Sequence, residues 1–396
     1  MEACAESSRL RCGRFWERIG KPRYVLAPMV DQSEQSFRVL CKRHGANLAV
    51  TPMFSARSFV QKNYREQHFG PHEGMHPDDR PLLVQFAAND AQTLLAAAKH
   101  VEGQCDGVDI NLGCPQKIAK RGHFGAFLLE EWPLLREMVG TLHCHLDVPV
   151  TCKIRLLWSE QQTIELARQL QDAGASLLTV HGRTREQKGR ETGGVDWDGI
   201  RTVKSAVSIP VLANGGIETI SDADRCIAHT GCDGAMLAEA ALENPSVFEG
   251  HVTGDDQESL CFEYLALQDQ FPADHRTVKQ HLFTMLYGGL QSNPDLRGRL
   301  HHARGLEQME AIVRELRGRP RTRLGPHCNR PGSEYTSWYH RHRWEVWKHP
   351  QGRGHNVSKA SAVAEWVAKG ESQGQGCGGG GIGESDNDFV MEPLFD

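Results

Sequence analysis

The stretch PVTCKIRLLWSEQQTIELARQLQDAGASLLTVH (149–181) contains a strand-like run, a helix-like spacer and a second strand-like run. The runs PVTCKI (149–154) and SLLTVH (176–181) are apolar on both faces, which is typical of strands in a parallel sheet covered by helices. The spacer QTIELARQLQDAGA (162–175) has a helical period, with successive turns marked by Ile164, Ala167, Leu170 and Gln171. Gly174 is placed to end this helix, so the stretch predicts one β–α–β unit.

Similar apolar runs recur along the chain, each followed by a helix-like spacer. The full set is YVLAP (24–28), NLAVT (47–51), LLVQFA (82–87), GVDINL (107–112), PVTCKI (149–154), SLLTVH (176–181), IPVLAN (209–214) and DGAMLA (233–238). Eight β–α units in about 225 residues predict an α/β fold, a (β/α)8 TIM barrel over residues 15–250. No G-x-G-x-x-G motif follows the first strand, which argues against a doubly wound dinucleotide-binding sheet.

The pattern changes near residue 255, after the last apolar run. Helical periodicity continues without strand-like runs in the segments 258–271, 276–291 and 299–317. We therefore expect a smaller all-helical domain over 255–325, packed on the barrel. Residues 326–396 include a glycine run at 378–381 and an acidic end. Low-complexity glycine buries too little surface to offset its ordering entropy, so we expect an irregular to disordered tail there.

Composition narrows the class of protein. The 39% hydrophobic content is ordinary for a soluble globular chain of 396 residues. No uninterrupted apolar run reaches the length of a membrane-spanning helix, and the start MEACAESS does not resemble a signal peptide. The 12 cysteines include no C-x-x-C pair, which argues against a zinc ribbon and a secreted disulfide framework. We expect free thiols in the cytoplasm or nucleus, with no metal, no membrane and no obligate protein partner.

Charge is unevenly distributed. Residues 271–360 carry 16 Lys/Arg and 7 Asp/Glu, a balance of +9, so the rest of the chain balances at −14 within a total of −5. Two interpretations stay open: a nucleic-acid footprint, or a solvated surface. Under the first, the contacts would come from Arg276, Lys279, Arg297, Arg299, Arg304, Arg314, Arg317 and Arg319. The alternative RNA surface is formed by barrel loops around Lys117, Lys120 and Arg121.

Polar residues end six of the predicted strands, where a TIM barrel places its active site. They are Pro28-Met29, Gln85, Asn111 with Gly113-Cys114-Pro115, Lys153 with Arg155, His181 with Arg183, and Asn214-Gly215-Gly216. A single buried His or Gln is more often a satisfied core group than a ligand. Six polar strand ends in one register are much harder to explain by chance, so they predict an active site.

These residue types suit a flavin. Gln85 and Lys153 can satisfy the donors and acceptors of its pyrimidine edge, and a cation near N1 stabilises the reduced ring. The turn Asn214-Gly215-Gly216 can hold a phosphate on backbone N–H groups. Cys114 lies between Gly113 and a proline, which exposes it, and an ordinary thiol is mostly protonated at neutral pH and can donate a proton.

Six stretches resemble the motifs of the tRNA-dihydrouridine synthase family, in the family's order and spacing. They are APMVDQSEQSFR (27–38), VQFAAND (84–90), VDINLGCPQKIAKRGHFGAFLL (108–129), PVTCKIRL (149–156), TVHGRTREQKG (179–189) and IPVLANGGI (209–217). The resemblance covers about residues 15 to 320. APMVDQSE and GCPQKIAKRGHFGAFL are most similar to the eukaryotic branch that acts on D-loop uridines 16 and 17.

The resemblance implies an NAD(P)H-dependent oxidoreductase that reduces the C5–C6 double bond of uridine in tRNA. Cys114 would protonate C5 while reduced FMN delivers hydride to C6, with NADPH as reductant. The implied FMN-binding residues are Pro28, Met29, Val30, Gln85, Lys153, His181, Asn214, Gly215, Gly216, Ala238 and Glu239. The implied substrate-binding residues are Asn111, Lys153 and Arg155.

One departure from the family bears on cofactor binding. Many bacterial members have Gly-Arg after strand 8, where this chain has Ala238-Glu239, as the eukaryotic branch does. Two rival functions remain. One is an FMN barrel that reduces a small molecule, like dihydroorotate dehydrogenase or an enoate reductase, which would not need a basic helical domain. The other is a catalytically idle RNA-binding scaffold, which would not require Cys114, Lys153 and His181 together.

Overall fold

A computed structural model of the chain describes residues 15–70, 73–188, 192–251 and 256–319. Within them the strands are β1 Tyr24–Leu26, β2 Leu48–Val50, β3 Phe54–Ser55, β4 Leu82–Ala87, β5 Gly107–Leu112, β6 Val150–Arg155, β7 Ala175–His181, β8 Val211–Asn214 and β9 Gly234–Leu237. All pair in parallel. Because β1 pairs with both β2 and β9, and β2 pairs with β4, eight strands close into a barrel.

The predicted TIM barrel is therefore confirmed, and each of the eight apolar runs contains a strand. The sequence missed β3, which pairs only with the end of β4 and is too short to show a pattern. The α-helices around the barrel are Phe15–Arg18, Gln35–Arg43, Ala56–Phe59, Lys62–His68, Ala91–Lys99, Lys117–Gly122, Trp132–His145, Glu160–Asp172, Trp197–Ala206, Ile220–Thr230 and Glu239–Glu243. Short 3-10 turns span Pro77–Asp79, Gly125–Leu128 and Pro245–Glu249.

The β–α–β unit at 149–181 forms for the reasons that the sequence indicates. Helix Glu160–Asp172 begins after Ser159, whose hydroxyl accepts from the backbone N–H of Gln162. Its buried face includes Ala167 and Leu170. Gly174 follows the helix at φ +111°, a conformation that side chains rarely adopt.

Alternation along the strands separates two environments. Outward residues such as Val108, Ile110 and Cys152 pack with the helices in the main core, while the lower barrel interior is filled by a separate apolar cluster. Its members are Phe15, Ile19, Val25, Ala27, Leu48, Val50, Leu83, Leu177, Leu212 and Met236. Because side chains alternate with a period of two, later positions on the same inward faces point into the upper barrel. This geometry gives the polar strand ends a common interior.

The last described region is entirely helical. Its helices are Gln257–Leu267, His275–Met285, Tyr287–Gln291, Pro294–His302 and Leu306–Gly318. The segment expected to be helical, 299–317, contains parts of two helices, because Pro294 starts one helix and the extended residues Ala303 and Gly305 separate it from the next. The segment 276–291 likewise divides at Leu286. The expected tail at 326–396 lies outside the described residues.

A buried cluster joins this helical region to the barrel. Glu34, just before helix Gln35–Arg43, accepts a hydrogen bond of 2.6 Å from the hydroxyl of Tyr264 and lies 3.1 Å from Nε2 of His281. The His281 ring stacks on Phe37 with centroids 4.2 Å apart. Burial alone would raise the pKa of Glu34, but His281 and the hydrogen bonds bring it below its ordinary value. The cluster therefore holds a charged carboxylate at the junction.

A helix that crosses a membrane must be both long and apolar. Among the residues that the structure describes, no helix meets both requirements.

Candidate active site

One cleft at the carboxyl ends of the strands collects every site residue predicted from the sequence. The empty space of this cleft, counted out to its open mouth, is about 1060 Å³. Its lining includes Pro28, Met29, Val30, Gln85, Asn111, Cys114, Lys153, Arg155, His181, Asn214, Gly215, Gly216, Ala238 and Glu239. The structure thus brings these residues together, while the role of each stays a prediction.

The sequence reasoning missed part of the lining. The additional residues are Ala27, Met53, Gly113, Pro115, Gln116, Arg183, Gln187, Thr192, Ile217 and Met236. Of these, Gly113, Pro115 and Arg183 were noted near strand ends but were given no binding role. Met236 could have been found from its inward position on β9. Gln187 and Thr192 belong to the irregular segment after β7, where no periodic signal marks them.

The loop that carries Cys114 is held from several sides. The side-chain oxygen of Asn111 accepts from the backbone N–H groups of Gly113 at 3.2 Å and Cys114 at 3.0 Å. The carbonyl of Cys114 accepts from the N–H of Ala126 at 3.0 Å. A Cβ on Gly125 would lie 2.8 Å from that carbonyl oxygen, so only glycine allows the two segments to approach this closely.

The thiol of Cys114 is half-buried, less exposed than the sequence predicts, and is suited to holding a proton. Burial raises its pKa above the ordinary value, and the nearby cations of Arg155, Lys153 and Lys188 offset this only in part. The thiol is therefore almost entirely protonated at neutral pH, as a proton donor must be.

Lys153 lies on the inward face of β6, directly opposite Asn111 in the strand register. Burial and the neighbouring Arg155 lower its pKa, while Asp109 and Cys114 favour the charged form, and the result is about 8. Lys153 is thus mainly charged at neutral pH and loses that charge just above it.

Below the cleft, a chain of hydrogen bonds runs across three strands. The Asn111 side-chain NH2 donates to the Gln85 carbonyl oxygen at 2.8 Å, and the Gln85 NH2 donates to Asp109 at 2.7 Å. The hydroxyl of Thr151 donates to the other oxygen of Asp109. Burial raises the pKa of Asp109 to about 6. The sequence reasoning missed Asp109 and Thr151, although alternation along β5 and β6 places both on the inward face.

Arg155 has a different environment from Lys153, although both were predicted to contact substrate. Its guanidinium donates to the carbonyl oxygens of Gly113 at 2.8 Å, Thr184 at 2.8 Å and Gln187 at 3.0 Å. Only 4% of the residue is exposed. Arg155 therefore joins the loop after β5 to the loop after β7.

The turn after β8 has the geometry of an anion site. Gly215 and Gly216 have φ of +108° and +68°, and a Cβ on Gly215 would lie 2.8 Å from Cδ2 of His181. Within the described residues, the backbone N–H groups of these two glycines donate to no protein group. The side chain of Asn214 is anchored by a bond to the carbonyl of Met236 at 2.9 Å. Free N–H groups on a glycine turn suit a phosphate.

Arg183 provides a cation at the same side of the cleft. Its Nη1 lies 3.1 Å from Nε2 of His181, and the residue is 3% exposed. Glu239, which follows β9, also lines the cleft. Arg183 and Glu239 thus add one guanidinium and one carboxyl group to the lining of the cleft.

Comparison with known proteins gives consistent matches. The family model described as "Dihydrouridine synthase (Dus)" matches residues 25–315. A mouse protein named tRNA-dihydrouridine(16/17) synthase [NAD(P)(+)]-like is 46% identical over 311 residues, which cover 78% of this chain and 65% of the mouse protein. The tRNA-dihydrouridine(16/17) synthase [NAD(P)(+)] of Saccharomyces cerevisiae is 43% identical over 299 residues, covering 72% of this chain and 70% of the yeast protein.

A fission-yeast protein with the same name is 41% identical over 332 residues, covering 79% of this chain and 82% of that protein. This chain spans about two thirds of the length of the mouse relative that it matches. The family model covers the barrel and nearly all of the described helical region. The resemblance seen in the motifs is therefore confirmed, and the chain belongs to the dihydrouridine synthase family.

Proposed function

We propose that this protein reduces the C5–C6 double bond of uridine in tRNA to dihydrouridine at D-loop positions 16 and 17. FMN is the proposed cofactor and NADPH the proposed reductant. The carrying observation is that Cys114, Lys153 and the glycine turn at Gly215 line one cleft in a chain of this family. The balance is simple: NADPH supplies a hydride, solvent supplies a proton, and uracil becomes dihydrouracil.

The proposed FMN site follows from the donors in the cleft. Gln85 and Lys153 bind the pyrimidine edge of the ring, and Pro28, Met29 and Val30 after β1 complete its pocket. The N–H groups of Gly215 and Gly216 bind the phosphate, together with the turns at Asn214, His181, Ala238 and Glu239. When bound, the flavin supplies the hydride for C6 of uracil. The cation of Lys153 favours the reduced form because that form is anionic.

The pair Ala238-Glu239 contains no cationic side chain that could bind the FMN phosphate. We also propose that Arg183 binds this phosphate instead. Arg183 lines the same cleft and lies against His181, which itself packs where a Gly215 side chain would project. An arginine fits phosphate by paired hydrogen bonds, and a buried one is worth more than an exposed one.

The protein's own part in the chemistry is proton delivery. Cys114 holds the proton on Sγ, and the raised pKa keeps it there until a base lies against the thiol. The proton moves to C5, and the thiolate that remains is stabilised by Lys153 and Arg155 until solvent reprotonates it. Asn111 holds the loop through the N–H of Cys114. The uracil must leave its stack to reach this cleft, so tRNA shape governs selection.

The charges of the described helical region are nearly balanced, which weakens the case for this region as the main RNA surface. The described helical region, 256–319, contains eight Lys/Arg and nine Asp/Glu, so the basic excess of the C-terminal third lies largely beyond residue 319. Several of its arginines already pair with carboxylates: Arg299 with Glu315, Arg314 with Glu310, and Arg319 with Asp295 and Glu315. Such pairs would have to be broken before these arginines could bind phosphate.

Helix Lys117–Gly122 follows the Cys114 loop directly, and its positive charges are not balanced by carboxylates of the helix itself. Lys117, Lys120 and Arg121 are exposed and form no ion pair with any described residue. Ile118 is 68% exposed beside them. We propose this basic rim, Lys117–Arg121, as the first contact for tRNA phosphates near the cleft. The helical domain remains a second proposed contact, through Arg276, Arg297 and Arg304, which form no ion pair with any residue that the structure describes.

The free thiols of the described residues, most of them buried, fit a reducing compartment. We therefore propose the cytoplasm as the site of action, with the nucleus as the alternative. The rival small-molecule reductase shares the barrel and the flavin site, but it gives no reason for a basic rim at the mouth.

The proposal is tested with purified protein. It should be yellow, with one non-covalent FMN per chain, and it should convert an unmodified tRNA transcript to dihydrouridine at positions 16 and 17 when NADPH is added, as read by mass spectrometry. A folded, colourless protein that takes up no FMN on titration overturns the flavoenzyme. NADPH oxidation with orotate or an enone as the acceptor, but not with tRNA, establishes the rival.

A further inference from the structure

Asp109 is a buried carboxyl that the proposed chemistry does not use. It is 2% exposed, and the charge of Lys153 offsets the effect of burial on its pKa only in part. Its two oxygens accept from neutral groups, the Gln85 side chain at 2.7 Å and the Thr151 hydroxyl. An acid buried at the bottom of the cleft without a cation in contact is costly and calls for a reason.

The hydrogen bonds that link Asp109 to the Cys114 loop have a fixed order of donors and acceptors. Backbone N–H groups can only donate, so those of Gly113 and Cys114 require the oxygen of Asn111 to face them. The NH2 of Asn111 then faces the oxygen of Gln85, and the NH2 of Gln85 faces Asp109. An ionised carboxyl can only accept, so Asp109 closes the chain at its far end.

We propose that Asp109 is a positioning residue, which fixes the amide orientation of Gln85 and Asn111 and thereby holds the loop that carries Cys114. The orientation matters because the two ends of a glutamine amide have nearly the same shape but opposite hydrogen-bonding character. Gln85 lines the cleft, so its orientation decides which end offers N–H and which offers C=O to a ligand. Without an acceptor at position 109, the Gln85 NH2 loses its buried partner, and either orientation becomes accessible.

The chain of hydrogen bonds needs an acceptor oxygen at position 109, and it does not need a negative charge there. Asn at this position keeps an oxygen for Gln85, and its NH2 can donate to Thr151, whose hydroxyl can rotate to accept. The reverse orientation would place two NH2 groups against each other at Gln85 or Asn111. Asp109→Asn should therefore preserve the order, whereas Asp109→Leu should not.

The order of the loop is measured by the reactivity of the Cys114 thiol, so the test does not depend on turnover. Flavin-free protein is treated with iodoacetamide, and the labelling of Cys114 is divided by that of exposed Cys144 in the same sample by peptide mass spectrometry. In Asp109→Leu this ratio should rise about three- to tenfold, the effect of one hydrogen bond. Asp109→Asn should stay close to wild type. FMN affinity should weaken in the same order.

Asn111→Leu interrupts the same chain nearer the loop. It should raise the ratio on its own, and the double variant Asp109→Leu/Asn111→Leu should add little to either change. Additive effects would overturn the proposal, because the residues would then act separately. Asp109→Ser, whose hydroxyl is too short to reach Gln85, replaces Asp109→Leu if the latter does not fold. Thr230→Val, which removes a buried hydrogen bond on helix Ile220–Thr230, is the control for general loosening.

The inference rests on the proposed function only for the FMN measurement. An Asp109→Leu protein that folds and labels Cys114 at the wild-type ratio overturns it, as does Asp109→Asn behaving like Asp109→Leu. A wild-type protein that binds no FMN would instead overturn the proposed function, while the thiol ratios would still decide the role of Asp109.

Discussion

Tyr264 and Glu34 are 230 positions apart in the sequence, yet the tyrosine hydroxyl donates a 2.6 Å hydrogen bond to the glutamate carboxylate. This bond crosses from the helical region to the first barrel loop, a few residues after Pro28 and Met29. The helical region is thus fastened close to the cleft.

Tyr264→Phe should lower the free energy of unfolding by about 1.5–3 kcal/mol, since the lost bond goes to a buried charged group. Urea denaturation measures the change. Tyr287→Phe is the matched control, because its hydroxyl has no hydrogen-bond partner among the described residues and its loss should cost under about 0.5 kcal/mol. Equal losses in the two variants would show that the Glu34 contact contributes nothing.

Stability should depend on pH through Asp109. The folded-state pKa is about 6, above the unfolded value of about 3.9, so the stabilisation linked to this group is full below about pH 4 and is lost as the pH rises through 6. Asp109→Asn removes the ionisation. The unfolding free energy of the variant minus that of wild type should therefore rise by up to about 3 kcal/mol between pH 4 and 8. A difference independent of pH would mean that Asp109 titrates normally.

Cys114→Ala should bind FMN and oxidise NADPH normally but form dihydrouridine about 10²–10⁴-fold more slowly, since it lacks only the proton donor. Single-turnover assays with tRNA measure this. Cys144→Ala, on the outer helix Trp132–His145, should match wild type in all three measurements. Near-normal dihydrouridine formation by Cys114→Ala would assign the proton to another group.

Arg183→Leu should weaken FMN binding about 10- to 100-fold and leave riboflavin binding almost unchanged, because riboflavin has no phosphate for the arginine to bind. Fluorescence titration of flavin-free protein gives both constants. Arg185→Leu is the control, since Arg185 pairs with Glu130 and Glu186 away from the cleft lining. Equal weakening of both flavins would indicate a structural effect.

The triple variant Lys117→Ala/Lys120→Ala/Arg121→Ala should weaken tRNA binding and flatten the dependence of log affinity on log salt by about two to three units. Each phosphate contact contributes about 0.7–0.9 to that slope. Arg276→Ala/Arg297→Ala/Arg304→Ala tests the helical domain in the same way. A slope that changes only in the second variant would move the RNA surface to the helical domain, while FMN content should be unchanged in both.

The barrel and the cleft were predictable because both depend on local periodicity. Apolar runs such as LLVQFA (82–87) mark strands whatever their neighbours, and strand-end residues such as Gln85 and Lys153 share one face by alternation. Asp109 lies on that face too, but a lone acid in a strand does not reveal which groups satisfy it. Its partners Gln85 and Thr151 come from the neighbouring strands and become visible only in the fold.

The helical region was less predictable because its breaks are local and its charges pair across helices. Ala303 and Gly305 divide a pattern that looks continuous over 299–317. The basic count over 271–360 could not show that Arg319 would meet Asp295 from a neighbouring helix. A residue count records charge, but the field outside a protein depends on how those charges are matched.

The bonds of Arg155 to Gly113, Thr184 and Gln187, with the bond of Lys188 to the carbonyl of Pro115 at 2.8 Å, make the loops after β5 and β7 a single mechanical unit. Neither loop can swing outward alone without breaking these contacts. The segments 113–116 and 184–188 should therefore move apart in one cooperative step, and their amide hydrogens should exchange with solvent deuterium at a common rate. Entry of a nucleotide and release of the reduced product would then share one gating event.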